Sequence, residues 1–406
     1  MSAPPAHPAR PDAPSSRTRA VLLVALIAYG LVTMTICLPS MQEWGAILDA
    51  SPGTVQLTFS AFVLAYGALQ LLYGPLSDRL GRRPLMLVGL AVAGVASAAG
   101  AFATGIEALV AARTLQGVGC AACAVLGRAA IQDAFDGPRR TRVMAQVGMA
   151  MGLCPPLATV IGGQLHARIG WQANFVLLAL MAAALAVATV RGLPAVAARP
   201  RGDTHWLTEM GDAFARLGRE RAFVLNVAVL ALSVGAFYAF LAGAPLVLKA
   251  YGVGPGEVGF YVMVAPLSYV FGNFLTSRLA RYGRDMRMRA VGQALTLTLT
   301  GIVAMIGLAL LDVRSGLAFT GPLVLFGIGH GLLMPPTLVA TVGLLPALAG
   351  AAAGIAGVSQ QLVGAVGGYA VGWVPQDGPV GLGLLMAAFT LGAIAAQAML
   401  PHGRSQ

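Results

Sequence analysis

The chain has 406 residues, 57% of them hydrophobic and only 10% charged, where an ordinary soluble domain carries roughly 25% charged residues. That balance excludes a water-soluble globule and describes a chain whose solvent is mostly lipid. The net charge of +11 does not point to nucleic acid, because the basic residues sit between apolar runs rather than along one polar face. All four cysteines, Cys37, Cys120, Cys123 and Cys154, lie inside apolar runs, which excludes a secreted disulfide framework.

Residues 1–19 hold five prolines and three arginines and read as a disordered tail. The apolar stretch that follows, about 22 residues from Ala20 to Met41, is too long for a signal-peptide core and is followed at once by another. It predicts the first transmembrane helix. Further spans are predicted near 54–75, 84–104, 107–128, 143–165 and 172–190 and, after a polar stretch at 191–221, near 222–248, 258–277, 290–311, 317–341, 352–374 and 380–400. The fold class is therefore an all-α membrane protein with 12 transmembrane helices in two six-helix bundles, residues 20–190 and 222–400. A central loop, 191–221, joins them and a short tail, 401–406, follows.

Basic residues are retained on the cytoplasmic side of a membrane protein. With the N-terminus inside, about 22 arginines fall inside; Arg168, Lys249 and Arg314 fall outside, and Arg113 alone lies within a span. The count places both termini and the central loop in the cytoplasm. The two halves also share a weak loop repeat. Leu76, Ser77, Asp78, Arg79, Leu80 with Arg82 and Arg83 are echoed by Leu275, Thr276, Ser277, Arg278, Leu279 with Arg281 and Arg284, without the acid. Two six-span halves favour a transporter with its substrate site between them. A phosphate-cradling loop needs a lysine before Ser or Thr, and the single lysine, Lys249, precedes Ala250. Transport would run on a gradient, with no cofactor. Gly254, Gly256 and Gly259 fit a dinucleotide-binding spacing, but Pro255 interrupts it and no strand precedes it. No zinc-protease H-E-x-x-H occurs, and no metal is expected.

Three strings carry chemistry. In Gly74, Pro75, Leu76, Ser77, Asp78, Arg79, Leu80, Gly81, Arg82, Arg83, Pro84 an aspartate sits among three arginines in a short turn, where a charge-assisted network or helix-end contact has a use. Gly74 and Gly81 permit the turn. Arg113 lies about 9 Å into the fourth span, where insertion scales set a cost of about 2.5–3.5 kcal/mol; it either serves function or caps backbone carbonyls. Span 5 carries Gly148, Gly152, Pro155 and Pro156, then Gly162 and Gly163, a pattern for a kinked helix approached closely by another. Gly364, Gly368 and Gly372 form a small-residue packing face in span 11.

The Gly74–Pro84 string resembles the loop 2-3 signature of the major facilitator superfamily, which implies a cytoplasmic latch of Gly74, Asp78, Arg79, Gly81, Arg82 and Arg83 holding the outward-open state. Arg113 with Thr114, Leu115, Gln116, Gly117, Val118 and Gly119 resembles the span 4 motif of proton-coupled drug exporters, implying a part in proton coupling. Span 5 looks like their antiporter motif, although Ala158 and Thr159 stand where its Gly-Pro core is expected. With Leu38, Pro39, Gln56, Leu57 and Thr58, the chain is similar to the Bcr/CflA branch of twelve-span drug:proton antiporters, over residues 35–175 above all. The resemblance implies export of antibiotics or metabolites through a bacterial inner membrane; a monomer is expected.

One departure matters. That branch commonly has an aspartate four residues before the proline that here is Pro39, and this chain has Thr35. No acid occupies the middle third of any expected span, which disfavours cationic substrates beside Arg113 and favours neutral or anionic ones. His330, near the middle of span 10, titrates in a useful range and is a candidate proton carrier, with Glu43 at the mouth of span 1 as its rival. Tyr29, Thr33, Thr35, Gln116, Asn226, Tyr238 and Gln361 are candidates to face the substrate. An importer or uniporter of a metabolite on the same fold is the alternative, and a receptor or intramembrane enzyme a more distant one.

Overall fold

The structure, a computed structural model, describes residues 16–194, 206–279 and 283–400, and for residues 78, 206–210 and 283–291 the backbone alone. Among the described residues twelve helices are long and apolar enough to cross a membrane: span 1 Ser16–Ile47, span 2 Pro52–Ser77, span 3 Arg82–Ala101, span 4 Ile106–Ala134, span 5 Gly137–Arg168, span 6 Gln172–Gly192, span 7 Arg221–Ala250, span 8 Pro255–Leu279, span 9 Gly292–Leu310, span 10 Gly316–Gly343, span 11 Pro346–Trp373 and span 12 Pro379–Ala398. All twelve expected spans are present, several extended by a turn or more. Among the described residues there is no strand. In hydrocarbon every backbone donor and acceptor must be met within the segment, which a helix alone achieves without a partner strand.

Two stretches differ from the expectation. Ser16 to Arg19, placed in a tail by their sequence, are helical and form the first turn of span 1; residues 1–15 lie outside the described ones. The central loop contains a helix, Trp206–Arg219, whose Leu217 is buried against Phe223 and Ala352. Polarity marked this stretch as non-spanning, but polarity alone does not separate a loop from a surface helix.

Helix ends follow local chemistry. Ser51 caps span 2, its Oγ accepting the Thr54 N–H at 3.2 Å with Pro52 in the first turn. At the other end Gly81 has φ 85°, a left-handed conformation that glycine adopts without a Cβ penalty, and it turns the chain from Leu80 into Arg82.

Span 1 packs on spans 4, 5 and 6, span 4 on spans 2 and 3, and span 3 on span 6. Adding six to each number gives the packing of the second half: span 7 on 10, 11 and 12, span 10 on 8 and 9, span 9 on 12. The correspondence extends to the seam, where span 2 meets span 11 and span 5 meets span 8. A pseudo-two-fold relation between two six-helix bundles generates all of these pairs. The seam is built from small residues, because backbones must approach closely where no hydrophobic force distinguishes protein from lipid. Gly372 lies against the backbone of Gly53, and Gly259 against that of Val160. Large apolar side chains such as Val95, Leu180 and Leu310 are exposed, as lipid-facing residues are.

The two ends of the seam differ. At the end opposite Arg79, Arg82 and Arg83, Gln42 donates from Nε2 to the carbonyls of Pro245 and Val253, and Lys249 Nζ donates to the Gln42 carbonyl at 2.6 Å. Gln56 Nε2 reaches the Ala242 carbonyl at 3.1 Å, and Gln164 Nε2 the Gly256 carbonyl at 2.7 Å. Among the described residues, all side-chain hydrogen bonds between the halves lie at this opposite end. Toward the basic end Gly74, Gly148, Gly350 and Gly357 have open space on their Cβ side.

Candidate functional site

Arg113 is 2% exposed and sits where spans 1, 2 and 4 meet. Its position depends on a proline. The regular ladder of span 1 ends with the Ile36 N–H bonding the Val32 carbonyl; then Leu38 bonds Thr35, Ser40 bonds Cys37 and Met41 bonds Leu38. Pro39 has no N–H, so the chain passes through a stretch of three-residue bonds. That leaves the carbonyls of Thr33 and Met34 turned to Arg113, which donates from Nη1 to Thr33 at 2.7 Å and from Nη2 to Met34 at 3.2 Å. Its Nε donates to the Thr58 carbonyl at 3.3 Å, Nη1 also to Gln116 Oε1 at 2.9 Å, and its plane lies over the Phe62 ring, 4.5 Å from the centroid.

A network extends from there. Gln116 Nε2 donates to Ser97 Oγ at 2.8 Å, and the Ser97 hydroxyl donates to the Ala93 carbonyl at 2.7 Å. Each hydrogen bond of a charged group contributes about 1.5–3 kcal/mol, and a desolvated cation over a ring about 2 kcal/mol. Four such donations and one ring contact outweigh an insertion cost of about 2.5–3.5 kcal/mol. No carboxylate takes part. Among the described residues the guanidinium is held by neutral oxygens alone.

The seven residues expected to face the substrate separate into two groups. Tyr29 is fully buried and donates to the Leu178 carbonyl at 3.2 Å, in the interior of the first bundle. Thr33 bonds the Tyr29 carbonyl, and Thr35 bonds the carbonyls of Leu31 and Pro155 between spans 1 and 5. Gln116 is committed to Arg113 and Ser97. Asn226, near the basic end of span 7, bonds the Ala222 carbonyl of its own helix. Tyr238 and Gln361 alone meet at the seam, the Tyr238 hydroxyl 3.0 Å from Gln361 Oε1, with Phe59 of span 2 edge-on to the Tyr238 ring at 5.6 Å. Gln361 also lies against Gly67 of span 2.

His330 joins an aromatic cluster that its sequence position did not announce. Its ring stacks on Phe237 at 5.2 Å and lies within 5.9 Å of Phe326 and 5.8 Å of Tyr269. Phe237, next to Tyr238 on span 7, connects this cluster to the seam. Phe326 is fully buried and His330 4% exposed, while Phe237 and Tyr269 are partly exposed, so the rings pack on one another with only part of the cluster open to a ligand.

Glu43 is at the opposite end, 3.0 Å from Nε2 of His166 in span 5. His166 Nδ1 is 2.9 Å from Ser40 Oγ, which also receives Asn174 Nδ2 at 3.2 Å. His166, Ser40 and Asn174 were not singled out by sequence; they lie far apart in the chain, and nothing local connects them.

The residues of the Gly74–Pro84 string bond within the first half. Arg82 pairs with Asp133 at the end of span 4, 2.7 Å apart, and Arg83 Nη2 donates to the Val190 carbonyl of span 6 at 2.7 Å. Asp78 and Arg79 belong to the last turn of the span 2 helix, Pro52–Leu80, not to a loop; the Asp78 side chain lies outside the described ones, as does residue 281 in the second half, while Gly74 has open space beside it. Span 5 is built as a contact helix. Pro155 and Pro156 lie inside it, Gly152 meets Val270 of span 8, Gly162 abuts the Ile36 carbonyl of span 1, and Gly163 meets Pro255. Gly364 and Gly368 of span 11 face Tyr238 and Phe59.

Comparison with known proteins fits this geometry. Residues 20–368 match the family described as Major Facilitator Superfamily. The chain is 28% identical over 376 residues to "Multidrug resistance protein D" of Escherichia coli, covering 91% of this chain and 92% of that one. It is 29% identical over 306 residues to "Chloramphenicol resistance protein" of Pseudomonas aeruginosa, covering 73% and 70%. Among solved structures, the nucleoside transporter NupG superposes with a TM-score of 0.75 at 13% identity, covering 94% of this chain and all of that one.

Proposed function

The chain belongs to the Major Facilitator Superfamily, whose members are membrane transporters and not enzymes, and from that premise we propose that it exports small, mostly apolar compounds, neutral or anionic drugs or metabolites, in exchange for protons by alternating access. In this reading it resides in a bacterial inner membrane as a monomer, with both termini cytoplasmic, an orientation that the distribution of arginines supports. The basic end then faces the cytoplasm, and the opposite end, where the halves are bonded, faces outward.

One observation carries the substrate class. All fifteen acidic residues of the chain lie at span ends, in connections or in the tail, whereas Arg113 is buried inside the bundle. A cationic drug would meet a low-dielectric cavity with a positive group and no compensating acid, which is unfavourable; a neutral or anionic one meets rings and amides. The names of the relatives support drug efflux as the activity. The aromatic group around Phe237 and His330, with Tyr238 and Gln361, is the substrate surface. His330 is the buried group able to carry a proton beside it, with Glu43 as its rival, and Arg113 takes part as a fixed charge.

The experiment is a susceptibility panel in a pump-deleted bacterial host, covering a neutral phenicol, a lipophilic cation and an anionic drug, with Arg113→Ala as control. Protection against the neutral or anionic compound that the substitution abolishes is the expected result. Strong resistance to an ethidium-like cation would sink the substrate assignment. Absence of protection against every class, at normal membrane levels, would favour a metabolite transporter.

A further inference from the structure

The group at the outward end of span 1 is not used by the mechanism above. Ser40 and Asn174 are fully buried, the His166 side chain is 8% exposed and the Glu43 side chain 41%. Three helices meet there: span 1 supplies Ser40 and Glu43, span 5 His166, and span 6 Asn174. Asn174 Nδ2 also donates to the Gly162 carbonyl of span 5 at 3.2 Å, and Gly162 itself abuts the Ile36 carbonyl of span 1. Two residues beyond Ser40, Gln42 makes the bonds that close the seam.

We propose that Glu43, His166, Ser40 and Asn174 form a proton-binding site that releases the outward gate when His166 is protonated from outside. The sidedness rests on the orientation given above; the switch itself does not. With the imidazole neutral, the bonds form one consistent chain: Asn174 N–H to Ser40 Oγ, the Ser40 proton to His166 Nδ1, and His166 Nε2–H to the Glu43 carboxylate. A proton added at Nδ1 reverses the middle bond. Nδ1–H then donates to Ser40 Oγ, and the Ser40 hydroxyl needs a new acceptor. Asn174 Oδ1 is buried and has no partner; turning the amide over presents it to Ser40. The same turn takes Nδ2 away from the Gly162 carbonyl and sets two acceptors against each other, breaking the tie between spans 5 and 6.

The Glu43 carboxylate, 41% exposed, faces the imidazole directly at 3.0 Å and connects it to solvent. The loss occurs on the buried side, beneath Gln42. Other charged groups on the surrounding elements are Arg168, two residues after His166 on span 5, Lys249 on span 7 at the Gln42 carbonyl, and Glu257 at the start of span 8 next to Gly256. Span 6 contributes the neutral Asn174 and Trp171. Among the described residues no other ion pair reaches Glu43 or His166.

The test is a distance measurement on purified protein, which requires no transport. Spin labels at Thr104→Cys and Leu311→Cys, exposed positions on opposite halves at the outward end, are introduced with Cys154→Ser; the remaining cysteines are buried. Lowering the pH from about 8 to about 5, the range in which histidine changes charge, should lengthen the distance several-fold in population. His166→Gln should hold the short distance throughout. A pH-independent distance in the parent, or the same transition in His166→Gln, overturns the proposal. If His166→Gln does not accumulate, Ser40→Ala removes the same relay and must flatten the response. Opening that depends on His166 without drug export would uphold the switch and defeat the export reading; proton-linked export with unchanged opening in His166→Gln would do the reverse.

Discussion

Lys249 Nζ donates to the main-chain carbonyl of Gln42 at 2.6 Å, so the only lysine in the chain ties the second half to the first at the end opposite Arg79, Arg82 and Arg83. A hydrogen bond to a charged donor contributes about 1.5–3 kcal/mol. Lys249→Met keeps the length of the side chain and removes the donor. The closed seam should lose that much relative to the open one, raising the open population at least tenfold. Thiol labelling of a cysteine placed at Gln56, which the seam buries, measures it; an unchanged labelling rate would show that Lys249 does not hold the gate.

The Arg113 node separates charge from geometry. Arg113→Lys retains the charge but cannot reach the carbonyls of Thr33, Met34 and Thr58 and Gln116 Oε1 together, since an ammonium lacks the planar fork. Export should fall at least tenfold in Arg113→Lys, with a loss of stability in detergent of about 1–3 kcal/mol for the unmet carbonyls. Equal export by the lysine variant would mean that charge alone matters.

His330 stacks between rings and makes no hydrogen bond among the described residues. His330→Phe preserves the packing and removes the titrating group. Substrate binding should persist within a few-fold while the dependence of flux on the proton gradient is lost. Retained gradient dependence in proteoliposomes would remove His330 as the proton carrier and leave Glu43 in that role.

Gly162 approaches the Ile36 carbonyl so closely that any Cβ would overlap it. Gly162→Val should cost about 1–3 kcal/mol or more through forced separation of spans 1 and 5, read as a lower unfolding temperature in detergent. Gly148→Val, at a site with open space, is the control and should change little.

The spans were legible because hydrophobic length and arginine placement are properties of contiguous sequence. So was Arg113, whose burial has a cost that sequence position alone reveals. The partners of Arg113 were not. They are main-chain carbonyls, which every residue possesses, and only the bonding pattern around Pro39 shows which ones are free. Thr33 and Thr35 illustrate the same difficulty from the other side. Their hydroxyls suggested substrate contacts, yet both satisfy carbonyls near their own positions, as threonine readily does in a helix. His166 was invisible because its partners come from residues 40 and 43, with Asn174 bonded to Ser40 behind them.

Pro39 gives the site an unusual dependence on imperfection. Helical regularity is ordinarily stabilising, and a residue with an N–H at this position would tend to restore the ladder through residues 35–43 and draw the carbonyls of Thr33 and Met34 back into it. The guanidinium would then lose the oxygens that solvate it, although nothing had touched Arg113 itself. The placement of this buried charge thus hangs on a hydrogen bond that one residue is unable to make, and a substitution that improves the helix would leave a better cylinder and a poorer seat for Arg113.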